Sequence, residues 1–368
     1  MECRYFGECG SCRLYDLGYG EQVELKKNRA KELFAKYDIS DFEFFTSNDE
    51  HYRNRAEFRV WHEGDKIYYG MHRLEGKDIL KIENCPKVDE QIFALMPKLR
   101  EYIEKDEILR HRLYSIEFLS AKEGVLVTLI YHKPIDKEWS EVAKKLEEIF
   151  GIFIIGRSRK IKKVLSQDYV IDALHVEGKE YRYKIAEGSF SQPNKSVNEK
   201  MLSWVSLHVE NPKDLLELYC GHGNFTIPLS RKFDSVLATE ISKNSIKSAN
   251  YNCELNGVKN ISFLRMSVEE LTSAMKKERE FNRLKEIDLD SFDFSHVLTD
   301  PPRAGIDAKS LDFISQFENI IYISCNLETL KRDIDVLSKD FKIVKFALFD
   351  QFVHTNHIES GVILKRKR

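Results

Sequence analysis

The stretch "DLLELYCGHGNFTIPLSRKF", residues 214–233, decides the fold. "DLLELYC" (214–220) reads as a buried strand, a glycine loop follows, and "FTIPLSRKF" reads as helical. Working outward, "SVLATE" (235–240) is the next strand, and "SKNSIKSANYNCELNGV" is a helix closed by Asn256-Gly257. "ISFLRM" (261–266), "HVLTD" (296–300) and "NIIYIS" (319–324) continue the strands, and "KIVKFALFD" and "GVILKRK" can form a terminal hairpin. Upstream, "NKSVNEKMLSWVSLHV" (194–209) carries Val197, Met201 and Val205 four apart, as an amphipathic helix does. Strands separated by helical crossovers imply an α/β fold, a mostly parallel sheet covered on both faces.

The first half lacks this rhythm. Between about residues 50 and 185, short alternating segments such as "AEFRVWHEG", "KIYYGMH" and "EGVLVTLIYH" suggest a mixed α+β module. The boundary falls near "EGSFSQPN" (187–194), giving modules over 1–186 and 187–368. The charged stretch "KKEREFNRLKEIDLDS" (276–291) interrupts the α/β pattern and reads as a solvated helix-loop insert.

A chain of 368 residues with 42% hydrophobic content and no low-complexity run is ordinary globular protein, long enough for two cores. Its apolar runs are too short to span a bilayer, and "MECRYFGECG" has no apolar signal region. A cytoplasmic location is expected, with the seven cysteines mostly reduced. Net charge is only −2, but basic residues bunch in "HYRNRAEFRVW" (51–61), "GRSRKIKK" (156–163) and the terminal "KRKR" (365–368). In the first bunch a strand period of two puts Arg53, Arg55 and Arg59 on one face and Ala56, Phe58 and Val60 on the other. That cationic face suits either water or RNA.

The loop Gly221-x-Gly223 lets backbone approach a ligand at a helix N-terminus. Glu240 ends the next strand 19 residues after Gly221, where a carboxylate can accept from both hydroxyls of a ribose. There is no Walker lysine, and only two of three Rossmann glycines are present. This disfavours nucleotide phosphates and suits S-adenosylmethionine, which has none. In "TDPPRAG" (299–305), Asp300 ends a later strand where it can reach such a ligand, and two prolines stiffen the turn. In "YISCNLETL" (322–330), Cys325 stands between a strand and a helix marked by Leu327, Leu330, Ile334 and Leu337. A lone cysteine is most often a small buried hydrophobe, but a helix N-terminus can favour its thiolate. Strand ends of a parallel sheet gather at one crevice, so Gly221, Glu240, Asp300 and Cys325 should converge. A thiolate beside a methyl donor suits methylation of uracil C5: addition to C6 makes C5 nucleophilic, and a base must then remove the C5 proton. Glu359, in "HTNHIESGVIL" (354–364), can be that base, although any single glutamate is most often a solvated acid.

In order along the chain, "HYRNRAEFRVWH", "SFSQPN", "LLELYCGHGNF", "VLATEI", "EFNRL", "DPPRAG", "YISCNLETL" and "LFDQFVHTNHIESGV" resemble the signatures of the tRNA (uracil-5-)-methyltransferase family. The resemblance covers most of the chain. It implies a Rossmann-like class I methyltransferase domain behind an RNA-recognition module. It further implies that Gln192, Tyr219, Gly221, Asn224, Glu240 and Asp300 bind S-adenosylmethionine, with Cys325 the nucleophile and Glu359 the proton acceptor. The implied substrate is the T-loop uridine of tRNA, flipped out of the folded elbow. No membrane and no obligate protein partner is implied.

One feature departs from the tRNA enzymes. Cys3, Cys9, Cys12 and Cys85 resemble the iron–sulfur ligands of ribosomal-RNA uracil methyltransferases. Four such thiolates could hold a 4Fe–4S cluster or a structural zinc. A ribosomal-RNA target is therefore the alternative substrate, and a tRNA-folding role without catalysis is the non-enzymatic alternative. Amino-group methyltransferases also use a proline pair after a strand-end acid. They follow it with an aromatic, where this chain has Arg303, and they need no cysteine.

Overall fold

A computed structural model of the chain describes residues 1–39 and 41–368. Helix α1 (Tyr19–Leu33) and a short strand β1 (Glu43–Phe45) come first. Next are strands β2 (Arg55–Glu63), β3 (Lys66–His72) and β4 (Ile79–Ile82), then helices α2 (Glu90–Lys105) and α3 (Glu107–Arg110). Strands β5 (Leu113–Ala121) and β6 (Gly124–Tyr131), helix α4 (Lys137–Phe150), and strands β7 (Phe153–Ser158) and β8 (Ile161–Val164) follow. They complete a seven-stranded sheet in the order β4-β3-β2-β5-β6-β7-β8. Phe58 of β2 is buried in its core, while Arg55 and Arg59 lie on the opposite face, as the period of two requires. An antiparallel ribbon of β9 (Tyr169–Val176) and β10 (Lys179–Ala186) leads into the second half.

That half runs α5 (Lys195–Leu207), β11 (Asp214–Leu218), α6 (Thr226–Leu229), β12 (Val236–Thr239), α7 (Lys243–Asn256) and β13 (Ile261–Leu264). It continues with α8 (Val268–Met275), β14 (Phe294–Thr299), α9 (Ala308–Ile314), β15 (Asn319–Ser324), α10 (Leu327–Leu337), β16 (Phe341–Phe349) and β17 (Glu359–Arg366). The eight-stranded sheet has the order β1-β16-β17-β15-β14-β11-β12-β13. Strands β11 to β15 pair in parallel, and β17 runs antiparallel to both β15 and β16. The terminal hairpin is therefore real, and its turn returns to the end of the sheet where the parallel strands finish.

Alternating side chains feed two cores. Leu215, Ile321 and Ile323 face α5 and the ribbon, while Leu216, Leu218, Ile320 and Tyr322 face α1, α9 and α10. Caps delimit the helices: Asn194, Ser242 and Asn326 each accept from a backbone N–H of the first turn of α5, α7 and α10. Gly257, at a φ of 65°, ends α7 in the left-handed region.

Two expectations change. The segment 276–291 contains no α-helix; it has two short 3-10 turns, and Phe281, Leu284, Ile287 and Leu289 pack onto the second core. Partly buried apolar residues spaced among exposed charges anchor it to the core as a flap without a helix. A single cut after residue 186 also does not separate the two sheets. Residues 43–45 pair with Ala347–Phe349 as the edge of the eight-stranded sheet, and Phe34 of the segment just after α1 packs on Phe346. Among the described residues no helix is long and apolar enough to cross a membrane.

Candidate active site

The crevice lies where β11, β12, β14 and β15 end and β17 begins. The β15–β17 ladder ends with Ser324 opposite Ser360, and Cys325 and Glu359 are the residues that flank this last pair. Ser360 Oγ donates to the Ser324 carbonyl at 3.0 Å and pins that register. Cys325 is half-buried one residue before Asn326, whose Oδ1 accepts from Glu328 N at 3.1 Å and opens α10. Glu359 is only 4% exposed.

On the cofactor side, Tyr219 leaves β11 at a φ of 60°, a conformation rare outside glycine and typical of functional turns. Gly221 and Gly223 follow at 56° and 88°. A Cβ on Gly223 would stand 3.1 Å from Ile227 Cδ1, a tight contact at a backbone conformation that already favours glycine. Glu240 reaches back across the strand ends: its Oε2 accepts from Gly221 N at 3.2 Å and its Oε1 from Ser242 N at 2.8 Å. Asn224 trades reciprocal amide hydrogen bonds with Asn198 at 2.9 and 3.0 Å. The Oε1 atom of Gln192 is buried without a partner. Gln192 lines a small cavity with Asn198, His222 and Asn224 at the glycine turn. An open buried acceptor there, with the Glu240 carboxylate at the next strand end, suits a nucleoside cofactor bearing an amino acid moiety.

Electrostatics ties the groups together. Burial pushes the Asp300 carboxyl up to about 7. Burial, then Asp300, pushes Glu359 up to about 8. Burial, then Glu359 and Asp300, pushes the Cys325 thiol up to about 11, against the pull of Arg303. The helix N-terminus expected to favour the thiolate is in place, yet desolvation and two acids outweigh it.

Sequence reasoning missed Glu217. It is 2% exposed, its Oε2 has no partner, and burial, with Asp300 adding, pushes its carboxyl up to about 8. The available signal was an acid inside the otherwise apolar run "LLELY".

The four N-terminal cysteines lie elsewhere. Burial pushes Cys12 up to about 12, with Cys85, Cys9 and Cys3 adding to it against Lys87. Cys85 and Cys3 are likewise raised, first by burial, and the backbone N–H groups of Lys87 and Tyr5 oppose this. The thiols thus gather in one region. Among the described residues, however, no group of three or more His, Cys, Asp or Glu closes to where it could hold a metal ion. Cys220 and Cys253 are buried core residues, as expected.

A family model described as tRNA (Uracil-5-)-methyltransferase matches residues 18–367. The chain is 53% identical to the tRNA/tmRNA (uracil-C(5))-methyltransferase of Campylobacter concisus and 50% identical to that of Sulfurovum sp., over all of each chain. The relative of the same name from Vibrio parahaemolyticus is 47% identical over 95% of this chain and 97% of its own. Among solved structures, the Pyrococcus abyssi tRNA (uracil-54, C5)-methyltransferase in complex with S-adenosyl-L-homocysteine superposes with a TM-score of 0.75. That match covers 96% of this chain and 85% of the other at 23% identity, a likeness of fold.

Proposed function

The chain belongs to the tRNA (uracil-5-)-methyltransferase family, and from that premise we propose that it converts the T-loop uridine of tRNA, position 54 as named for the archaeal enzyme, to 5-methyluridine. The observation that supports the reading is the end of the β15–β17 ladder, where Cys325 and Glu359 flank the last pair at strand ends that also bear Asp300 and Glu240.

S-adenosylmethionine, when bound, supplies an electrophilic methyl group on a sulfonium. Gln192, Tyr219, Gly221, Asn224, Glu240 and Asp300 would hold it, Glu240 as an acceptor for ribose hydroxyls and Asp300 as a carboxylate that would favour a cation nearby. Cys325, its proton released to solvent, adds through Sγ to uracil C6, and the C5–C6 π pair moves toward the C4 oxygen as an enolate. That enolate returns the pair through C5 to the methyl carbon, forming the C5–CH3 bond as the sulfur–methyl bond breaks. Glu359, ionised, then takes the C5 proton; the C–H pair restores the C5–C6 double bond, and the Cys325 thiolate leaves. Enclosure of Glu359 keeps it from water until this step.

The RNA-binding part of the reading rests on the seven-stranded sheet. The Arg59 guanidinium lies 4.9 Å from the Tyr114 ring centroid, and Tyr114 stacks on His132 at 4.0 Å. A stacked, cationic, solvent-reached platform suits splayed bases. Such a substrate would be met in the cytoplasm.

A T-arm hairpin carrying 5-fluorouridine at the target position tests the proposal. Fluorine cannot leave as a proton, so the reaction should halt after methyl transfer with Cys325 bonded to C6, visible as a shifted band on a denaturing gel. Loss of the band in Cys325→Ala is the expected control. A band with a ribosomal-RNA fragment and none with the T-arm would favour the second reading, which the cysteine spacing motivates.

We also propose Cys3, Cys9, Cys12 and Cys85 as a four-thiolate site with a structural role, from their spacing and their mutual electrostatic influence. No step above is routed through it, and no three of the described thiols close to metal-holding geometry. Absorbance at about 400 nm in anaerobically purified protein is the expected sign of a 4Fe–4S cluster. A colourless preparation free of iron and zinc would remove the proposal.

A further inference from the structure

Helix α1 carries polar side chains where a packed helix ordinarily carries apolar ones. Gln22 and Lys26 are 0% and 1% exposed, and with Arg29 they fall at spacings of four and three, along one face. Each is spent on the segment that ends in Glu359. Gln22 Oε1 accepts from His354 N at 2.9 Å, and its Nε2 lies 2.9 Å from His354 Nδ1. Lys26 Nζ pairs with Asp350 at 2.6 Å and donates to the Phe352 carbonyl at 3.2 Å. Arg29 donates to the Asn356 carbonyl at 2.9 Å and pairs with Glu328, three residues beyond Cys325. From the same side, Arg13 N and Leu14 N donate to the His354 carbonyl at 2.8 and 3.1 Å, and Tyr52 donates to the Val353 carbonyl at 3.1 Å.

An apolar stripe would pack the helix at least as well, because a buried ion pair adds little net stability. What it adds is direction. His354 holds a φ of 61° within this set of contacts, a conformation that persists in a non-glycine residue only when its surroundings fix it.

We propose that Gln22, Lys26 and Arg29 are positioning residues, a clamp by which α1 holds residues 350–358 so that Glu359 is kept near Cys325. The proposal rests on the reading of Glu359 as the base. Addition and methyl transfer use Cys325, Asp300 and Glu240, which none of the three contacts; Arg29 alone reaches the first turn of α10, through Glu328. Proton removal uses Glu359, at the end of the segment that all three hold. Loosening α1 should therefore slow elimination selectively, and the methylated Cys325–RNA adduct should accumulate on ordinary uridine.

The full chain, Gln22→Ala, Arg29→Ala and Glu359→Gln are each given T-arm RNA and methyl-labelled S-adenosylmethionine, quenched in time, and run on denaturing gels beside thermal melts. Arg29 is partly exposed, so its replacement leaves the core intact. The expected result is a labelled adduct in both α1 variants and in Glu359→Gln. Product release from the α1 variants should fall about 10- to 100-fold, with KM for RNA within about twofold. A merely structural role would lower the melting temperature and every step together, with no adduct; that outcome overturns the clamp. Adduct in Glu359→Gln but not in the α1 variants overturns the clamp and spares the base assignment. No adduct in Glu359→Gln, with Cys325→Ala inactive, overturns the base assignment and the clamp with it.

Discussion

Asp300 acts electrostatically on both Glu217 and Glu359, and burial of the three acids sets the site's pH behaviour. Glu217 is the cleanest reporter, since it is buried within β11 and has no part in the proposed chemistry. Its carboxyl is raised from 4.5 to about 8, first by burial and then by Asp300. The folded state therefore holds this proton more tightly than the unfolded chain does. Its contribution is full below the unfolded value of 4.5 and is lost as pH rises through about 8. Glu217→Gln keeps the shape and removes the titration. Its melting temperature should track the native chain near pH 5 and exceed it above pH 8, by a margin on the order of a few °C. Parallel melting curves across that range would show that Glu217 is ionised in the fold throughout. Glu217 was within reach of sequence reading as an acid amid leucines, whereas the rise of the Cys325 thiol was not. A helix start is local and readable; the two carboxylates that oppose it arrive from β14 and β17.

Periodicity exposes an element only when its buried face is apolar. The strands of the second half were legible for that reason: both faces of "NIIYIS" and "DLLEL" are covered, and their runs are nearly continuous. Helix α1 gave no such signal. Its buried residues are Gln22, Val23, Lys26 and Ala30, so the face it packs is half polar and no apolar stripe marks it. The exception is informative, because polar groups are buried where directional contacts are needed. Those contacts reach residues more than 300 positions away, a pairing no local pattern encodes. The flap at 276–291 misled for the converse reason: its charged residues dominate the composition, while four apolar side chains set its placement. The residues proposed for catalysis were legible because each stands at a strand end or beside one, the part of an α/β element that sequence reads best.

At the scale of the molecule, the proposed reading gives the two sheets different tasks, and the division can be measured. The eight-stranded sheet holds the residues proposed for the chemistry, while the seven-stranded sheet offers the stack of Arg59, Tyr114 and His132. A net charge of −2 gives no general attraction for RNA, so binding must be focused by local groups such as these. The two neighbours should act through different physics. Tyr114→Ala removes a stacking surface, which should weaken tRNA binding by about 1–3 kcal/mol and leave the slope of log K against log salt unchanged. Arg59→Ala removes a charge, which should weaken binding and lower that slope by about 1 if the guanidinium meets a phosphate. Titrations of full-length tRNA at several salt concentrations separate the two effects, and single-turnover rates at saturating RNA should remain near those of the native chain. If both variants bind with native affinity, the sheet is not the RNA platform, and the arm must be held by other groups. If both change only the maximal rate, the stack orients the flipped base instead of capturing the arm, and the two sheets share one task.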